Sequence, residues 1–149
     1  MHASNQIIKN PMIIATDFDK DFSWGFYCTN NYKQAKRWTG RRKGSPTINY
    51  YEYTENPDLR VLTFTEMSDE WLNFIAKCRA GQPHDYDIVE GPMADDQIWY
   101  WVKLFLEGEM EKEAFLKKAA FLHPTHQICF CTARALRCLK FLRSETVHD

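Results

Sequence analysis

The sequence predicts a single α+β domain, and three observations lead there. The chain has 149 residues, the length of one domain that buries about two-thirds of its unfolded surface. Short apolar runs with strand character are mixed with segments of helical periodicity, without the regular alternation that builds a doubly wound parallel sheet. No internal repeat, low-complexity tract or Pro/Gly/Ser linker divides the chain.

The elements follow in order. Before Gly25 the periodic apolar positions are few, and Met12-Ile13-Ile14 marks one short strand among loops. Phe26–Thr29 reads as a strand entered through a glycine. Asn30 or Asn31 then caps a helix through Trp38, with Ala35 and Trp38 on one face. Gly40 to Pro46 carries every turn signal. Strands are expected over Ile48–Tyr53 and Arg60–Phe64, parted by Asn56-Pro57-Asp58. Ser68 caps a helix whose Trp71, Leu72, Ile75 and Cys78 recur at helical spacing. Tyr86–Val89 is a further strand, closed by Gly91-Pro92. Asp95 or Asp96 caps the next helix, in which Ile98, Trp101, Val102 and Phe105 share a face. Another helix is expected over Lys112–Ala120, ended by Pro124. Gln127–Cys131 reads as a strand, Thr132 caps a short helix to Cys138, and Lys140–Val147 returns as a strand.

Composition narrows the function classes. The net charge of −1 gives the molecule no field to steer nucleic acid or an acidic membrane. No stretch reaches the ~18 apolar residues that span a bilayer. Met1-His2-Ala3-Ser4 lacks the layout of a signal peptide. Five cysteines without a paired framework point to reduced thiols and a cytoplasmic setting. Ten Phe, seven Tyr and five Trp exceed the needs of a small core, so most pack inside and some are expected to line a ligand surface.

The segment Asp21-Phe22-Ser23-Trp24-Gly25-Phe26-Tyr27-Cys28-Thr29 is the best candidate for a ligand site. Gly25 allows close backbone approach, and the strand after it presents Phe26 and Tyr27. Lys33, Lys36, Arg37, Arg41, Arg42 and Lys43 place six positive charges in eleven residues, a solvated face first and a pyrophosphate or nucleic-acid contact second. Cys129 and Cys131 point to one side of their strand with His123 and His126 upstream. The spacing lacks the turn that opens a zinc knuckle, so a buried thiol pair is expected and no metal. Phosphate loops, nucleophile elbows and zincin motifs do not occur.

Taken together the motifs form a known ordered set. Asp-Phe-x-x-Gly-Phe-Tyr-x-Thr at 21–29 precedes Gln34-Ala35-x-x-Trp38 and Glu70-Trp71-Leu72-x-Phe74-Ile75. Tyr86-Asp87-Ile88-Val89-x-Gly91-Pro92-x-Ala94-Asp95-Asp96 follows, then Gln127-Ile128-Cys129-Phe130 and Ala135-Leu136-x-x-Leu139. Over nearly its whole length the chain resembles the bacterial domain-of-unknown-function family 3990, grouped with the ADP-ribosyltransferases. That resemblance implies a split antiparallel β-sheet clamp with flanking helices, holding NAD as substrate. It implies that His2 and Ser4, in a His-Gly-Ser-like motif, bind the adenosine ribose, although no apolar strand precedes them here. It implies that Tyr27, with Gly25 and Phe26, packs beside nicotinamide, and that Gln34 and Trp38 line its pocket. Gln127 falls where relatives often carry a Glu that steadies the oxocarbenium-like transition state, and an amide cannot supply that charge. Arg37 is expected to meet pyrophosphate, and Asp21, Asp95 or Asp96 to provide a carboxylate. The function implied is mono-ADP-ribosyl transfer to an unknown acceptor, protein or nucleic acid, as the toxin of a toxin–antitoxin pair with an antitoxin protein as partner. A non-catalytic module binding NAD, a nucleotide or a protein on the same fold is the alternative. An RNA-directed toxin using the Lys33–Lys43 cluster is a third reading, which near-neutral charge disfavours.

Overall fold

A computed structural model describes residues 1–13, 20–40, 44–119 and 125–148. Several expectations fall outside these residues: Ile14, Arg41, Arg42 and Lys43 of the basic cluster, Ala120, His123 and Pro124. The described elements are β1 (His2–Ser4), β2 (Phe26–Cys28), α1 (Tyr32–Thr39), β3 (Thr47–Tyr53), β4 (Val61–Thr63) and α2 (Asp69–Arg79). They continue with β5 (Ile88–Gly91), α3 (Asp96–Leu106), α4 (Lys112–Ala119), β6 (Gln127–Phe130), α5 (Ala133–Leu136) and β7 (Leu139–Thr146). The α+β class holds. The early strand does not fall at Met12-Ile13, which has no strand pairing; it is formed by His2–Ser4.

Among the described residues, four helices start where a side-chain oxygen can accept an orphan first-turn N–H. Asn31 caps α1 at Gln34 N (3.1 Å), Ser68 caps α2 at Trp71 N (3.2 Å) and Asp95 caps α3 at Ile98 N (2.9 Å). Thr132 caps α5 at Ala135 N (3.1 Å).

The strands form two sheets. The first is antiparallel in the order β1-β3-β7, with His2 opposite Asn49 and Thr47 opposite Thr146. The second runs β2-β6-β5-β4. Its β2, β6 and β5 are antiparallel, while β4 and β5 are parallel and joined through α2, as a parallel pair needs a crossover.

Register sorts the second sheet into two faces. Val89, Cys129 and Tyr27 lie across from one another and pack against Trp71, Leu72 and Ile75 of α2, Ile98 and Val102 of α3 and Phe115 of α4. Phe26, Cys28, Ile88, Ile128 and Phe130 face the other way and meet Tyr51 of the first sheet. The sheets are joined at Met1 and Thr29, whose main chains exchange two bonds of 2.9 Å each. Phe26 meets Tyr51 edge-on at 5.6 Å, and Phe130 meets Tyr53 at 5.4 Å. Such aromatic pairs add about 0.5–1.5 kcal/mol each beyond their burial.

Candidate functional site

The predicted site residues gather around the start of β6, where the two sheets meet, but most are already engaged. His2 stacks on Phe26 with ring centroids 3.9 Å apart and 17° between planes. Its Nδ1 lies 2.6 Å from the Tyr27 carbonyl, which fixes the proton on that nitrogen as the donor. Ser4 is buried and accepts Gln6 N–H at 3.3 Å. The Tyr27 hydroxyl donates to Ser23 O at 2.5 Å and accepts Phe22 N–H at 3.1 Å. Burial, with Cys129 adding to it, pushes the Tyr27 phenol well above its ordinary range, so it stays neutral and anchors the 20–23 turn. That turn holds Ser23 at φ 71°, a left-handed conformation rare outside glycine.

Gly25 is required for packing. A Cβ there would lie 2.3 Å from Cys129 Sγ and 2.8 Å from the Phe130 carbonyl, so β2 presses its backbone onto β6.

Gln34 is fully buried in α1 and spends its amide on one main-chain unit. Nε2–H donates to His126 O at 2.5 Å, and Oε1 accepts His126 N–H at 3.1 Å. Gln127, expected at the transition state, donates Nε2–H to Asp21 Oδ2 at 2.9 Å and to Pro92 O at 3.4 Å. Asp21, only 4% exposed, accepts Arg79 Nε at 2.8 Å and Nη2 at 2.6 Å on Oδ1, and Ala94 N–H at 2.8 Å on Oδ2. Arg79 in turn lies over the Trp99 ring at 4.4 Å. Asp21 is thus neutralised and tied to α2, β6 and the loop before α3, a buried ion pair whose remaining acceptor sites are filled.

The other predicted positions lie elsewhere. Arg37 is exposed and Trp38 half-buried on α1. Asp95 is an exposed helix cap, and Asp96 opens α3.

A pair absent from the predicted set, His126 and Glu90, places a carboxylate beside Gln127. His126 Nδ1 accepts Asn30 N–H at 3.1 Å and lies 3.4 Å from Thr29 Oγ1. The ring proton therefore sits on Nε2, which donates to Glu90 Oε2 at 2.7 Å. The bond from His126 outweighs partial burial and holds the Glu90 carboxyl below its usual range, so it is ionised at neutral pH. Glu90 keeps 35% of its side chain exposed. In the register it faces Ile128, which faces Cys28, so these side chains share the inter-sheet face with Phe26. Two strand spacings of ~4.8 Å put Glu90 roughly 10 Å from the β2 edge beside His2. An ionised, oriented and solvent-reachable carboxylate at this place can bond a ribose hydroxyl or stabilise a neighbouring cation. Little in the sequence signals it: Glu90 sits in an otherwise apolar strand, and its partner lies 36 residues away.

No curated protein and no solved structure matches the chain. A family model described as "Protein of unknown function (DUF3990)" matches residues 1–141. The motifs at 21–29, 86–96 and 127–139 all fall inside that span, and the chain belongs to the DUF3990 family.

Proposed function

We propose that this protein is an NAD-dependent mono-ADP-ribosyltransferase, with the dinucleotide held at the solvent-open rim of the two sheets where Glu90 is exposed, and Glu90 as its working carboxylate. The observation that carries this reading is the ionised, partly exposed Glu90 on the inter-sheet face, fixed by His126 beside Gln127. Two sheets joined at Met1 and Thr29 support the clamp architecture that the motifs imply. In this reading the buried His2–Phe26 stack and the Tyr27 turn form the rigid support behind the site. Nicotinamide leaves with its bonding electrons, and Glu90 stabilises the cationic ribose until an acceptor nucleophile attacks. The acceptor is a protein or a nucleic acid, and an antitoxin protein would cover the site in the cell.

A second reading, a binding module without turnover on the same fold, is favoured by a different observation. Gln127, Gln34 and Tyr27 are each saturated by internal bonds. Incubation with NAD separates the two. Nicotinamide release that falls about 10²–10³-fold in Glu90→Gln supports the transferase. Calorimetric NAD binding with no nicotinamide release supports the binding module. Absence of both overturns the site.

A further inference from the structure

A second cluster of reactive groups lies on the opposite face of the β6 sheet. Cys131, at the end of β6, is half-buried, and its Sγ lies 3.2 Å from Cys129 Sγ and 3.9 Å from His84 Nε2. The imidazole is fixed from both sides. Tyr86 N–H donates to Nδ1 at 3.0 Å, so Nε2 carries the proton and donates to Phe22 O at 2.9 Å. Cys129 is fully buried, wedged against Gly25. The two sulfurs need to approach by only about 1 Å to reach a bonded length of ~2.05 Å.

We propose that Cys131 is a peroxide-sensitive thiol and Cys129 its resolving partner, closing to a disulfide at the end of β6. The Cys131 thiolate attacks one oxygen of a hydroperoxide. An S–O bond forms, the O–O bond breaks, and hydroxide or alkoxide leaves and takes a proton. The Cys129 thiol then attacks the sulfenic sulfur. An S–S bond forms, the S–O bond breaks, and the departing oxygen takes the Cys129 proton as water. Two sulfurs lose two electrons in total, and the peroxide gains them.

The division of roles follows from surroundings. The neighbouring Cys129 sulfur at 3.2 Å, with His84 adding to it, lowers Cys131 against its burial. Burial holds Cys129 well up, so it stays protonated until attack. Cys28 is pushed up to about 12 by burial, and Cys78 to about 12, also by burial, so neither competes as the attacking thiolate.

The test is oxidation of the whole protein with hydrogen peroxide near pH 7, stopped by alkylation and read by peptide mass spectrometry. Cys131 is expected to oxidise about three- to tenfold faster than glutathione, the gain in thiolate being partly offset by lower intrinsic nucleophilicity. The first product is expected to be a Cys129–Cys131 disulfide, with the sulfenic acid on Cys131 trapped by dimedone in Cys129→Ala. Oxidation no faster than glutathione overturns the proposal, as does a first disulfide from Cys131 to Cys78. Both of these outcomes are read on the wild-type protein, whether or not the variant folds.

Discussion

Two carboxylates flank the start of β6, on opposite faces of one strand. Asp21 meets Gln127 on the face that packs on the helices; Glu90 meets His126 on the face turned to the other sheet. Asp21 is sealed, with donors from Arg79, Ala94 and Gln127. Glu90 has its ring partner and open solvent. The contrast separates a structural carboxylate from the one assigned to the proposed reaction. A buried carboxylate whose lone pairs are all filled holds elements together and has nothing left to offer a substrate. A carboxylate with one fixed bond and an open side is oriented and still available.

The largest expected effect is on the sealed side. Asp21→Ala removes the anion and strands Arg79, lowering stability by about 3–5 kcal/mol in urea unfolding. A loss under about 1 kcal/mol would show that Asp21 does not tie its elements together. Gln127→Glu comes next. It restores the residue type that the family resemblance suggests, yet sets a second carboxylate against Asp21 and removes two donated bonds. A loss of about 2–3 kcal/mol at neutral pH is expected, shrinking in mild acid as the introduced carboxyl takes a proton. A gain in nicotinamide release would instead make Gln127 the degenerate catalytic position.

A smaller effect separates both from a third carboxylate. Burial alone would raise Asp87, but bonds from Arg134, Thr132 and Arg60 N–H outweigh it and hold the carboxyl at about 2. A depressed folded pKa stabilises above the unfolded value. Its contribution is therefore present above roughly pH 4 and lost as pH falls toward about 2. Asp87→Asn should flatten the acid limb of the stability–pH curve, and an unchanged limb would assign acid unfolding to other groups. The smallest effect belongs to Glu90→Gln, which should cost under about 1 kcal/mol, because the pair is partly exposed. A large loss there would place Glu90 with Asp21 as a structural carboxylate.

Legibility in the sequence tracks the range of each interaction. The caps Asn31, Ser68, Asp95 and Thr132 are readable because cap and acceptor lie three residues apart. Strands β3 and β6 declare themselves through short runs of apolar and aromatic residues. Strand β1 does not: His2 and Ser4 are polar and become buried only through Phe26, the Tyr27 carbonyl and β3. The site is half legible. Gln34, Gln127 and Asp21 do converge on β6, but what they bind is the protein itself. Arg79, at the end of α2, finds its carboxylate partner in Asp21, 58 residues earlier. Glu90 with His126, and His84 with Cys131, likewise join across 36 and 47 residues. No local pattern encodes such pairs.

The consecutive strands β6 and β7 belong to different sheets, and each is indispensable to its own: β6 is an inner strand, and β7 pairs along all of β3. A chain emerging from the ribosome can close β4–α2–β5 early, from local sequence. Until Gln127–Thr146 follows, neither β2 nor most of β3 has its partner, and Phe26, Ile88 and Tyr51 remain without their cover. Acquisition of native structure during synthesis should therefore be late and abrupt, with nascent chains halted before β6 remaining sensitive to protease.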